Sequence, residues 1–226
     1  MGLESLEQRM ALTVAVPSIR LAKASDTGVF NDGITRLAKP VFIGTAPPRS
    51  SVFVYADGQL LGRTTATVGG AWSLATPPAR PLSVGGHIMT VNAVRAGGVS
   101  TATPMWMAVD PTPPTASLTY DSLNGRATLT FSEPVAVPAV RAANLRLSGR
   151  TELGLLASIS ITDPRARALV GSITMTASEN NTKFTFQEER VLAVSGQYTL
   201  SFLRTGVTDL AGNPLAVGAI TRFDII

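Results

Sequence analysis

Residues 51–68 read Ser-Val-Phe-Val-Tyr-Ala-Asp-Gly-Gln-Leu-Leu-Gly-Arg-Thr-Thr-Ala-Thr-Val. Two β-prone runs, residues 51–55 and 60–68, flank Asp57-Gly58, a pair that readily takes the positive φ angles of a tight hairpin. Alternating β-branched and aromatic residues on both sides of such a turn predict a strand pair. The same grammar extends outward through runs at 41–43, 71–75, 87–94 and 105–109, separated by Pro47-Pro48, Gly69-Gly70, Gly85-Gly86 and Gly97-Gly98. Short strands at this spacing predict a β-sandwich. Trp72, two residues past Gly70, is expected at its centre, where an indole can remove about 150–250 Å² from water.

Asp110-Pro111-Thr112-Pro113-Pro114 interrupts this pattern. Three prolines in this run cannot feed a sheet ladder and favour an extended, semi-rigid backbone, so a domain boundary is expected there. Beyond it, runs at 116–120, 127–131, 145–147, 182–186, 197–203 and 220–225 again read as strands, with Asn124-Gly125 as the hairpin signal between the first two. Residues 151–181 are less regular, and Thr162 to Arg167 predict either a short helical turn or a long loop. At the other end, residues 1–14 (Met-Gly-Leu-Glu-Ser-Leu-Glu-Gln-Arg-Met-Ala-Leu-Thr-Val) place Leu3, Leu6 and Met10 at helical spacing and do not continue the sandwich pattern. The expected organisation is an N-terminal arm over 1–21, one all-β sandwich over 22–113 and a second over 114–226, joined by the proline-rich linker.

Composition supports a folded chain and removes several classes of function. The 226 residues are 45% hydrophobic and 15% charged, which excludes an intrinsically disordered or coiled-coil chain. There is no cysteine, so disulfide frameworks, thiol catalysis and Cys-ligated zinc are excluded together. The net charge of +4 is carried by scattered basic residues such as Arg49, Arg80, Arg126 and Arg204, not by the concentrated basic and aromatic surface of a nucleic-acid binder. No apolar run approaches the roughly 20 residues that cross a bilayer.

Two groups of motifs then resemble known families. Ser25-Asp26-Thr27-Gly28, Asn31-Asp32-Gly33-Ile34-Thr35, Pro40, Gly44-Thr45-Ala46, Gly62, Gly70-Ala71-Trp72-Ser73 and Val109-Asp110 occur in the order seen in the immunoglobulin-like repeats of large bacterial adhesins. The second half, with Leu129-Thr130-Phe131-Ser132-Glu133-Pro134-Val135, Tyr198-Thr199-Leu200 and Asp209-Leu210-Ala211-Gly212-Asn213-Pro214-Leu215, resembles a different bacterial Ig-like family that accompanies surface-layer and wall-bound proteins. Leu3-Glu4-Ser5-Leu6-Glu7-Gln8-Arg9-Met10-Ala11-Leu12 is similar to a segment near the N-termini of exported planctomycete-type proteins. These resemblances imply a non-enzymatic structural and adhesive module of an exported surface protein, extracellular or on the cell surface. Its expected partners are neighbouring Ig-like domains, surface proteins or glycans, with neither nucleic acid nor a membrane span. A glycan-binding accessory of a polysaccharide-active system is the alternative; it needs exposed aromatics on one face, whereas Tyr55, Tyr120, Trp72, Trp106 and Tyr198 all fall in predicted strands, where core packing is the default.

The adhesin resemblance also implies a metal. Such repeats use acidic residues near domain junctions to hold Ca2+, and by resemblance Asp26, Asp32 and Asp110 are the candidates. Arg95 stands where the family carries an acidic ligand, and a fixed guanidinium opposes a divalent ion. The metal-free alternative has Asp26 and Asp32 making Asx turns and Arg95 pairing with an Asp. Asp209 and Asn213 face the same choice and are expected to shape their own loop, and Glu133-Pro134 to end or kink an edge strand. For catalysis the inventory is poor: His87 is the sole histidine and reads as a structural strand-edge residue, and no nucleophile or phosphate-loop motif is present. No catalytic or cofactor-binding residue is assigned. An enzyme would need a buried cleft with perturbed carboxylates, for example Glu188-Glu189 facing Asp163.

Overall fold

The computed structural model describes residues 16–95, 98–102, 104–178 and 180–226. Of the arm expected over 1–21, residues 1–15, which carry the segment similar to exported planctomycete-type proteins, lie outside the described residues, whereas Arg20–Leu21 pairs with Phe42 and Ile43 in the first sandwich. The described chain divides into two compact units, one of residues 16–25 with Leu37–Val109, the other of Asp26–Arg36 with Asp110–Ile226. The segment Asp26–Arg36, which by sequence stands inside the first sandwich, therefore packs with the second.

In chain order the first unit opens with β1 (Arg20–Leu21); β2 (Ile34–Thr35) falls in the segment that belongs to the second unit. Then come β3 (Val41–Thr45), β4 (Ser51–Ala56), β5 (Gln59–Thr65), β6 (Ala71–Ala75), β7 (Gly85–Arg95), β8 (Gly98–Thr101) and β9 (Met105–Val109). One sheet runs β1-β3-β6, and the other carries the order β9-β7-β4-β5 with β8 beside β7. The β4–β5 connection is the two-residue turn read from sequence: Asp57 and Gly58 take φ of 51° and 79°, the doubly positive pair that matches strand twist. Inner positions of β4 and β7 bury Val52, Val54, Met89 and Val91, which face Phe42 and Trp72 from the opposite sheet. Trp72 is buried, and its Nε1 donates to the Thr45 carbonyl at 3.1 Å, so the one polar atom of the indole is satisfied.

The second unit pairs β10 (Ala116–Asp121), β11 (Arg126–Phe131), β15 (Lys183–Glu188) and β14 (Ile173–Ala177) in the order β10-β11-β15-β14. Its other sheet runs β13-β12-β16-β17 from β12 (Leu145–Thr151), β13 (Gly154–Ser160), β16 (Gly196–Phe202) and β17 (Ala219–Ile225). Aromatic rings hold the core: Phe131 meets Phe184 and Phe202 edge-on at 5.8 and 6.2 Å, and Phe223 stacks between Tyr120 at 4.0 Å and Tyr198 at 5.5 Å. Such pairs contribute about 0.5–1.5 kcal/mol beyond their buried area. The irregular stretch resolves into β13, β14 and a short helix α1 (Pro164–Val170). Asp163 caps α1 by accepting from the Arg165 amide at 2.9 Å, Pro164 occupies the first turn, and Gly171 at φ 73° ends it.

Candidate functional site

The segment Asp26–Arg36 is held to the 209–213 loop by one backbone and two side-chain hydrogen bonds to that loop's carbonyls. Val29 N donates to Leu210 O at 3.0 Å, Thr27 Oγ1 to Ala211 O at 2.6 Å, and Arg36 Nη1 to Gly212 O at 3.0 Å. Gly28 permits this approach: a Cβ there would lie 2.0 Å from Leu210 O, and its φ of 78° disfavours any other residue.

On this scaffold the carboxylates gather in two groups. Asp26 Oδ2 accepts from Asn31 N and Asp32 Oδ1 from Ile34 N, both at 2.8 Å, the second an Asx turn. Their other oxygens, Asp26 Oδ1 and Asp32 Oδ2, are buried with no hydrogen-bond partner among the described residues. Burial raises the Asp32 carboxyl, and the neighbouring Asp26 charge adds to it. The second group is Asp110, Glu133 and Asp209, each offering a carboxylate oxygen within 4.8 Å of the others. Asp209 is buried beneath Asn213, whose N and Nδ2 donate to its two oxygens at 2.8 Å each, while the same Nδ2 reaches Asp110 O at 2.7 Å. Asp110 Oδ1 accepts from Thr112 N at 3.0 Å. Burial pushes Glu133 up to about 7, helped by the charges of Asp110 and Asp209 and by a hydrogen bond with Asp110.

The expected metal set is therefore split: Asp26 lies beside Asp32, and Asp110 is placed instead with Glu133 and Asp209. Glu133 was missed because Glu-Pro reads as a strand end. It does follow β11, but β11 is an interior strand of its sheet, not an edge, and the close approach of Glu133 to Asp110 and Asp209 is purely tertiary. Asp209 and Asn213 shape their loop as expected. Arg95 forms no ion pair with a described carboxylate, so it does not stand in for a metal.

His87 is likewise not a strand-edge residue. It faces inward from β7, which lies between β4 and β9, and is 6% exposed. Nδ1 lies 2.6 Å from Asp57 Oδ2 and Nε2 lies 2.9 Å from the Ser83 carbonyl. Burial pulls its pKa down, but the Ser83 carbonyl and the Asp57 carboxylate together outweigh it and raise the net value. Ser83 Oγ is 3.5 Å from Nε2, so Asp, His and Ser stand in a row beside an open concavity of about 630 Å³. With Nε2 committed to a backbone carbonyl, the imidazole has no free lone pair for general-base work. The other carboxylate arrangement also dissolves: Glu188 accepts from Tyr120 Oη at 2.8 Å, Glu189 accepts from Ser172 N and Oγ, and Asp163 caps α1. Of the aromatics on which glycan binding would depend, Tyr120 is stacked on Phe223, whereas Trp106 is 53% exposed, against the default of core packing.

Two distinct family models, each described as a bacterial Ig-like domain, match residues 13–111 and 102–224. The chain belongs to the bacterial Ig-like domain family. No curated protein matches its sequence. Among solved structures, the Ig-like chain is similar to domains from titin (11% identity, TM-score 0.38, covering 93% of this chain and 66% of that one). It is similar to a 1.5-MDa bacterial ice-binding adhesin (14%, 0.38, 94% and 65%) and to a Ca2+-stabilized adhesin of an Antarctic bacterium (14%, 0.35, 92% and 48%). The chain spans about half to two thirds of the length of these structures. Among the described residues no helix is long and apolar enough to cross a membrane.

Proposed function

We propose that the chain is a non-enzymatic spacer and adhesive scaffold of an exported bacterial surface protein, placed outside the cell or on its surface. The observation that carries this reading is the tandem of two Ig-like matches, each over a sandwich with its own closed core. Tandem sandwiches resist extension because their ladder hydrogen bonds must break together. Pulling single chains in an atomic force microscope is expected to give two separate unfolding peaks, and treating intact source cells with external protease is expected to degrade the protein. A chain protected inside intact cells would overturn the surface placement, and extension without force peaks would overturn the mechanical role.

Within this reading we also propose that Ca2+ binds the second unit. The open oxygens of Asp26 and Asp32 and the convergent carboxylates of Asp110, Glu133 and Asp209 are the groups that would hold it, as oxygen ligands suited to a hard cation. A ligand that binds only the native state raises the melting point by mass action. Millimolar calcium against chelator is expected to raise Tm. Loss of the rise in Asp32→Asn locates the ion at the first group, and loss in Glu133→Gln at the second; no rise in the parent chain sinks the metal.

A further inference from the structure

An antiparallel sheet with one face toward water ordinarily alternates apolar-in and polar-out. The β9-β7-β4-β5 sheet follows this on its inner side and departs from it on the outer. Its inner positions are the buried Val52, Val54, Met89, Val91 and Met107. Between them, facing outward, stand Phe53 and Tyr55 on β4, Ile88 on β7 and Trp106 on β9, with Leu60 beside Tyr55 on β5. Trp106 is 53% exposed, Ile88 45% and Leu60 40%, and Phe53 and Tyr55 are half-buried.

The register places these side chains. Trp106 pairs with Ile88, Tyr55 lies between Thr90 and Leu60, and Phe53 lies between Asn92 and Arg63. Three aromatic rings thus share one face, separated by the neutral hydrogen-bonding groups of Thr90 and Asn92. Gly86 shapes the platform by close approach: a Cβ there would come within 3.2 Å of Trp106 Nε1 and 3.8 Å of Cε2, so its absence lets the indole settle against β7 while staying exposed.

We propose that this face of the first sandwich binds neutral polysaccharide, with pyranose rings stacking on Trp106, Tyr55 and Phe53. The apolar C–H face of a pyranose matches an aromatic platform, and sugar hydroxyls match Thr90 and Asn92. Charge favours the uncharged polymer: Arg63 is the one charged side chain on these described rows, and at the Ile88–Leu60 end Arg80, which donates to the Leu60 carbonyl, is offset by the Asp57 carboxylate beside the Ile88 amide, so no cluster of cations awaits an acidic chain. Area argues against a second copy of the protein. Four strands about 4.8 Å apart, over residue pairs from Ile88 to Val94, present on the order of 300–500 Å², short of the roughly 800 Å² per partner that a stable protein interface buries. The inference does not depend on the spacer reading, because a force-bearing module with or without this site unfolds alike.

The test is affinity electrophoresis of the full chain in native gels containing hydroxyethyl cellulose, xylan or mannan, with polygalacturonate as the acidic comparison. Retardation is expected in at least one neutral gel, weakened about two- to tenfold by Trp106→Ala and by Tyr55→Ala with Tm unchanged. Should Trp106→Ala fail to fold, a Trp72→Phe background reads Trp106 emission alone, and a shift on adding the retarding polymer is the expected result. Failure to be retarded by all three neutral polymers, retardation by polygalacturonate alone, or undiminished retardation of the variants would each overturn the proposal. So would concentration-dependent dimerisation that Trp106→Ala abolishes, which would give the face to a second copy.

Discussion

The two sandwiches bury ionisable groups in opposite ways. In the first, His87 is enclosed between a carboxylate and a backbone carbonyl, so both ring nitrogens have acceptors and the charged form is favoured. In the second, Glu188 is half-buried with the Tyr120 hydroxyl as a side-chain donor, and burial outweighs that bond, pushing its carboxyl up to about 7. Desolvation acts on both residues, and the number and charge of the partners decide which form survives. The two tryptophans differ likewise: Trp72 on β6 and Trp106 on β9 belong to opposite sheets of the same sandwich, yet one closes its core and the other lies on its surface.

The largest effect should separate those tryptophans. Trp72→Ala is expected to destabilise the first sandwich by roughly 3–5 kcal/mol, whereas Trp106→Ala should change it by no more than about 0.5 kcal/mol, both read from denaturant unfolding. Equal losses would mean that Trp106 also supports the core.

A middle-sized effect concerns Glu188. Its folded pKa stands above the unfolded value, so its contribution to stability is fully present below pH 4.5 and is lost as pH rises through about 7. Melting of the second sandwich should therefore fall between pH 5 and 8, and Glu188→Gln should remove part of that fall, leaving the part set by Glu133, which is also raised to about 7. An unchanged slope in the variant would show that Glu188 is solvated.

The smallest effect belongs to His87. With a folded pKa raised above 6.5, it adds stability below that pH and loses it as pH climbs through the folded value. Asp57→Asn should bring the NMR-monitored titration of His87 down, since a carboxylate next to the ring is replaced by a neutral amide. A titration midpoint that stays put would remove Asp57 from the pairing.

The strand grammar was legible wherever it is local. The Asp57-Gly58 turn forms as read, because positive φ is a property of those two residues, and Asp163-Pro164 opens α1 because capping and proline act within one turn. Glu133 was not legible as part of an acidic group, since nothing within reach along the chain distinguishes it from a strand-ending Glu-Pro. The placement of Asp26–Arg36 was hidden for a similar reason: Thr27, Gly28 and Val29 look like any turn until the backbone of Leu210 to Gly212 arrives beside them.

What the sequence by itself determined is the all-β class, the two-sandwich count and most strand positions, because period-two patterning and turn chemistry act over a few residues. Only the tertiary structure decided which acids meet, which nitrogen of His87 finds which partner and which tryptophan faces water. Those outcomes depend on strand register and on contacts between residues as many as 184 positions apart, such as Thr27 with Ala211, where no local preference speaks.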